Sequence, residues 1–386
     1  MIAAVPPSVA ELREEFLLDP DVVFLNHGSF GACPRPVFEQ YQAWQRELER
    51  QPVEFLGRRI EALLAEARAG LASYVGAEAD DLVFVPNATS GVNLAARALA
   101  LEPGDEVLST DLEYGACDLA WEHVCARAGA RYVRAHVPLP VTSSAAIVDA
   151  LFARLTERTR VVYVSHVTSM TALRLPVEEI CSRARELGLV AIVDGAHAPA
   201  QVPLDLGSLD AAFYSGNCHK WLCAPKGAGF LWVRPELQES VHGLIVSWGY
   251  DDDGGGTFLS RNEKQGTRDP AAYLTVPTAI AWQEERAWDE VRERCHALVL
   301  EARAVLAELT GLEPLTPPTR EFLGQMVTTK LPPCDREELR RRLYDEHRVE
   351  VPVWDTDDGQ FLRVSVQAYN DERDLDALDA ALRALL

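Results

Sequence analysis

Short apolar runs rich in β-branched residues recur through the first two thirds of the chain, each closed by a polar or glycine-containing turn. A stretch with helical spacing separates each run from the next. This alternation predicts strands at 82–85, 106–109, 132–135, 161–165, 190–194, 211–214 and 229–233, and helices at 58–75, 90–100, 115–128, 145–156 and 177–187. Strands joined by crossover helices imply βαβ units, so the expectation is an α/β fold with a seven-stranded, mostly parallel sheet.

Near residue 270 the pattern changes. A long helix is expected over 271–310, then a strand at 327–333, an amphipathic helix at 336–347 and a strand at 361–367. Together these predict a smaller α+β domain. The expected organisation is an N-terminal segment (1–24) packing on the small domain, a large domain (25–270), and a small domain (271–386) opened by the long connecting helix. The run Asp251-Asp252-Asp253-Gly254-Gly255-Gly256 predicts an exposed loop; it lacks the alternating ligands and terminal Glu of a calcium loop.

Composition narrows the class of protein. A chain of 386 residues with 48% hydrophobic and 25% charged residues is an ordinary globular one, long enough to bury a site completely. Its formal charge of -22 would repel polyphosphate and anionic bilayers, which excludes nucleic acid and membrane as main partners. Small anionic substrates are not excluded, because local cations act at short range. The eight cysteines contain no C-x-x-C pair, which suits a reducing compartment. The N-terminus turns acidic after a brief apolar opening, unlike a signal peptide, and no apolar run reaches membrane-spanning length. A cytoplasmic enzyme is the expectation.

In open parallel sheets ligands gather at the carboxyl ends of strands, so the polar residues that follow the apolar runs are the candidates. After 82–85 comes Asn87-Ala88-Thr89-Ser90-Gly91 and an Ala-rich helix, a turn able to cup one phosphate with backbone N–H groups and hydroxyls. An ordinary helix cap explains it equally well by itself. Asp194 ends a strand with apolar neighbours, where a carboxylate needs a partner. A protonated pyridine nitrogen, the next turn, or a metal shared with His197 are the options, and no further ligand completes a metal set nearby. Lys220 lies in a turn between two strands, beside His219 and among Trp, Leu and Ala. Desolvation and nearby cations there would lower its pKa and expose a nucleophilic amine. Lys226 reads as a surface lysine or a contact to the following turn.

The order of these signals, with V-D-G-A-H at 193–197 and S-G-x-x-H-K at 215–220, resembles the class V aminotransferase family of fold-type I pyridoxal 5′-phosphate enzymes. The resemblance runs from Leu25 to about Leu386. It implies a homodimer with active sites shared between subunits. It also implies that Ala88, Thr89 and His219 hold the cofactor phosphate, that Tyr114 stacks on the ring, that Asp194 pairs with the pyridine nitrogen, and that Lys220 bonds the cofactor carbonyl. His197 would lie close to the cofactor and help orient Asp194. The position that often carries Asn toward the cofactor phenolic oxygen is Thr168 or Ser169. Thr267 resembles the residue that reaches the phosphate of the neighbouring subunit, and Arg363 the one that clamps a substrate carboxylate. Without the resemblance these two read as a loop hydroxyl and a strand-edge arginine.

Within the family, desulfuration needs a nucleophilic Cys shortly before the arginine motif, and 351–361 has none. The segments L-N-H-G-S-F-G (25–31), 165–180 and 265–274 resemble the isopenicillin N epimerase subgroup, which implies epimerisation at Cα of an amino-acid substrate and a substrate role for His27, Gly28 and Ser29. A tight turn accounts for G-S-F-G equally well. Lys220 would remove the proton, with Tyr114, His27 or water returning it. A C–S lyase of the hercynylcysteine sulfoxide lyase kind, which shares H-G-S-F-G, and an aminotransferase are the alternatives. A binding protein that has lost catalysis is disfavoured by the presence of both Lys220 and Arg363.

Overall fold

The structure is a computed structural model that describes residues 6–250, 255–356 and 358–386. Residues 1–5 of the expected N-terminal segment and 251–254 of the expected loop therefore lie outside the described residues.

The main sheet has seven strands in the order Leu82–Val85, Gly229–Val233, Phe213–Asn217, Val190–Gly195, Thr159–Ser165, Glu106–Thr110 and Arg131–Ala135. All neighbours are parallel except Gly229–Val233, which runs antiparallel to both strands beside it. Strands such as LVFV and GFLWV are buried along their whole length because helices cover both faces. That is why they read as continuous apolar runs. The edge strand RYVRA keeps a solvent face.

A second, antiparallel sheet orders Val353–Thr356, Gly359–Ser365 and Met326–Leu331. The N-terminal segment ties itself to this half of the chain. Val23–Phe24 pairs in parallel with Val349–Glu350, Arg13 bonds the Tyr369 carbonyl and Asp374, and Glu15 accepts from Trp282 and Arg286.

Three expectations need correction. The helix expected over 271–310 is three: Ala271–Leu274, Val276–Glu284 and Trp288–Thr310. Pro277 starts the second, and Ala287, in the left-handed region with φ 48°, breaks the chain before the third. The strand expected at 211–214 is shifted and runs Phe213–Asn217, so Lys220 follows its end by three residues. The amphipathic helix Arg35–Arg50 and the last helix, Glu372–Leu385, were not anticipated.

Candidate active site

The carboxyl ends of the parallel strands, the turn after Val85 and the loop after Asn217 enclose a cavity of about 200 Å³. Its walls include Ser29, Thr89, Tyr114, Ser169, Asp194, His197, His219 and Lys220. The sequence therefore brings most of its expected site residues to one place.

The lysine loop is held from both sides. Cys218 and His219 donate backbone N–H groups to the Ala228 carbonyl, and His219 Nδ1 lies 2.8 Å from the same oxygen. From the N-terminal segment, His27 Nε2 lies 3.0 Å from the Lys220 carbonyl, and Lys226 Nζ donates to the Gly31 carbonyl at 2.9 Å. Lys226 is thus a clamp on the loop. Gly31, at φ 70°, sits so close that a Cβ there would lie 2.0 Å from the His219 carbonyl oxygen.

Lys220 Nζ lies 3.1 Å from His197 Nε2, and the Trp221 indole donates to His197 Nδ1 at 3.2 Å. Burial, with the Arg363 charge adding to it, brings the Lys220 amine down to about 7. Burial also holds His197 well below the usual histidine range and His219 at about 4. An amine brought down to about 7 offers a large unprotonated fraction at neutral pH, and that fraction is a nucleophile and a base.

Asp194 is buried at the end of its strand, and burial pushes its carboxyl up. Oδ1 accepts from the Ala196 N–H at 2.9 Å, whereas Oδ2 receives only long contacts, from Cys117 Sγ and the Tyr163 hydroxyl, both at 3.4 Å. Among the described residues no cation pairs with it. Nor does His197 orient it, contrary to expectation: both His197 ring nitrogens face Lys220 and Trp221 instead.

At the turn after Val85, Asn87 caps the helix Ala88–Ala98 by accepting from Ser90 N–H. The Ala88 N–H, expected to face a phosphate, donates to Asn217 Oδ1 at 2.8 Å. Thr89 lines the cavity.

Arg363 enters from the second sheet. It donates to the Ser169 carbonyl and, at 3.2 Å, to Ser29 Oγ, while its Nε has no partner. Burial lowers its guanidinium to about 10, and among the described residues no carboxylate offsets that. A buried fork flanked by two cavity-lining serines suits a carboxylate. Gly28 makes room for it: a Cβ there would lie 3.2 Å from Nη2.

Three expected contacts are not formed in the single chain. Thr168 is fully buried, with its hydroxyl bonded to Thr171 and to the Leu173 N–H, so Ser169 is the one at the cavity. His27 is fully buried beneath the lysine loop, between Tyr369 and the Lys220 carbonyl, which removes it as a substrate contact or proton donor. Thr267 lines a different cavity, of about 640 Å³, beside Trp248 and Arg68.

Sequence reasoning missed Trp221, Asn217 and Glu113. Glu113 is buried, accepts from Ser165 N–H, Ser165 Oγ and Thr110 Oγ1, and is raised by burial to about 8. No local pattern marks it; only its place before Tyr114 at a strand end does.

A family model described as aminotransferase class-V matches residues 32–378. The chain belongs to the class-V aminotransferase family. The isopenicillin N epimerase of Streptomyces clavuligerus is 39% identical, with 97% of this chain and 98% of that protein covered. A putative L-cysteine desulfhydrase 1 of Oryza sativa subsp. japonica is 31% identical over 98% of this chain and 86% of its own length. The solved structure of a C-DES mutant, with glycine covalently linked to its PLP cofactor, has the same fold, with a TM-score of 0.85 at 22% identity over 97% of this chain and 99% of that one.

As in its family, the cofactor of this class-V enzyme is pyridoxal 5′-phosphate. The donors fit that group: an under-partnered buried carboxylate for a pyridinium, the Thr89 position of a helix N-terminus at the cavity for a phosphate, and a desolvated lysine for a carbonyl.

Proposed function

We propose that this enzyme is an epimerase that inverts Cα of an amino-acid substrate, isopenicillin N epimerase-like in its reaction. The observation that carries the reading is the 39% identity to an epimerase along nearly the whole of both chains. The bound cofactor supplies an electron sink for the Cα carbanion.

The chain's own residues supply the rest. Asp194 would keep the pyridine nitrogen protonated, and Thr89 with His219 would hold the phosphate. Ser169, rather than Thr168, would face the phenolic oxygen. Arg363 would grip the substrate carboxylate between Ser29 and Ser169. Lys220, whose amine burial brings down to about 7, would take the Cα proton in its unprotonated form. Tyr114, half-exposed at the cavity, is then the proton-bearing side chain left to serve the other face.

A cysteine desulfhydrase-type C–S lyase is the second reading, favoured by the desulfhydrase relative. Incubation of the holoenzyme with amino acids, amino-acid-terminated peptides and thioether sulfoxides in deuterated water separates the two. Epimerisation gives Cα deuteration with inverted configuration and no pyruvate; pyruvate with ammonia from a sulfur-containing substrate would replace the epimerase reading with the lyase. Accumulation of the pyridoxamine form would indicate transamination.

The proposed assembly is a cytoplasmic homodimer in which Thr267 of each subunit completes the phosphate site of the other. The proposed division into large and small domains falls near residue 270.

A further inference from the structure

We propose that Trp221 is a positioning residue: its indole N–H fixes the tautomer of His197 and through it selects the unprotonated form of Lys220. The proposal rests on the reading of Lys220 as the cofactor-bearing lysine. It adds a role for a buried side chain that does not line the cavity.

The indole N–H can only donate, so at 3.2 Å it requires an unprotonated His197 Nδ1. The one proton of the imidazole is then on Nε2. That nitrogen lies 3.1 Å from Lys220 Nζ, so it donates into the amine lone pair. An ammonium has no lone pair to offer and would aim N–H at N–H. A His197 of the other tautomer could instead accept from an ammonium and would stabilise the wrong form.

The surroundings agree with this assignment. Trp221 is fully buried, its backbone carbonyl accepts from Gln283 on the helix Val276–Glu284, and its ring packs 5.0 Å from that of His27. The indole therefore has little freedom to turn away. The charged and titratable groups around the amine are Arg363 from the second sheet, Asp194 and His197 from the strand end, Cys117 from the helix Gly115–Ala128, His219 beside it in the loop and His27 from the N-terminal segment. Arg363 disfavours the ammonium and Asp194 favours it. His197 in the Nε2–H form adds its weight to the neutral side.

Trp221→Phe removes the donor and keeps an aromatic ring. The full chain is freed of its carbonyl cofactor with hydroxylamine, and reloading with pyridoxal phosphate is followed by the absorbance of the lysine-bound form from about pH 5 to 10. The wild-type rate should rise through about pH 7, where the amine loses its proton. In Trp221→Phe the rise should move up by about one pH unit, making reloading roughly tenfold slower on the acid side and equal on the alkaline side. Coincident profiles would overturn the proposal. Absence of lysine-bound absorbance in the wild type would instead overturn the reading of Lys220. A second measurement does not depend on the variant folding: in the cofactor-free wild type labelled with 15N-histidine, His197 should show a pyridine-type Nδ1 and a pyrrole-type Nε2. The reverse assignment would also overturn it.

Discussion

Lys220 lines the cavity, Arg363 is buried behind it and bonded to two of its lining serines, and burial depresses the charged form of each, with Arg363 adding to the effect on Lys220. Such an arrangement costs stability and is retained where an anionic ligand arrives to offset it. Arg363→Met should therefore raise the melting temperature of the ligand-free protein while raising KM for a carboxylate substrate by at least about a hundredfold, a loss in line with a charged hydrogen-bonding pair. Thermal unfolding and steady-state kinetics on the same variant check both halves. The pH dependence of Lys220 has a definite sign. Because its folded value, about 7, lies below the ordinary lysine value, the unfolded chain holds a proton that the folded chain lacks between those two pH values. Stability of the cofactor-free protein therefore gains from Lys220 as pH rises through that window, and bears the full cost of the buried charge below it. Lys220→Met should accordingly stabilise the cofactor-free protein at about pH 6 by on the order of 2 kcal/mol or more, and have little effect above about pH 10.5. Urea unfolding of the two proteins at both pH values tests this. At this scale the sequence was informative where chemistry and position coincide: Asp194 at a strand end, Lys220 in a polar turn. It was silent on Trp221 and Glu113, whose significance lies in which atoms they face, and it misplaced Thr168, because two adjacent hydroxyls on one turn point opposite ways.

The short helix His27–Phe30 and the lysine loop are mutually braced elements. The brace depends on Gly31, which ends the helix with a positive φ and leaves no space for a side chain. Gly31→Ala combines a left-handed backbone with a clash against the His219 carbonyl, so the loop must move. The expected result is a loss of at least about 2 kcal/mol of stability and weaker cofactor retention. Chemical unfolding and cofactor absorbance per chain after dialysis would show it; unchanged retention would mean that the loop is not braced there. The parallel strands were legible because burial on both faces writes them as unbroken apolar runs. The helix expected over 271–310 was not, since Glu285, Arg286 and Ala287 are ordinary helix formers and nothing local announces a break. The interruption belongs to tertiary structure: the turn at Ala287 lets Trp282 and Trp288 pack with ring centroids 5.1 Å apart.

At the scale of the whole molecule, residues distant in sequence converge: Ser29 from the N-terminal segment, Lys220 from the main sheet, Arg363 from the second. Thr267 stays apart in the single chain, which makes it the natural test of the proposed dimer. If each subunit lends Thr267 to its neighbour, mixing Lys220→Ala with Thr267→Val chains should restore about one quarter of wild-type activity, because about half of the dimers are mixed and each of these carries one intact site of two. No recovery after subunit exchange would place Thr267 outside the shared site. The sheet order carries a consequence for how such a chain is made. Strand Leu82–Val85, which aims the turn at Thr89, borders only Gly229–Val233, a strand encoded almost 150 residues later. In the sheet the reversed strand lies between that early strand and Phe213–Asn217. The turn that presents Thr89 therefore gains its strand neighbour only from a segment encoded after Lys220.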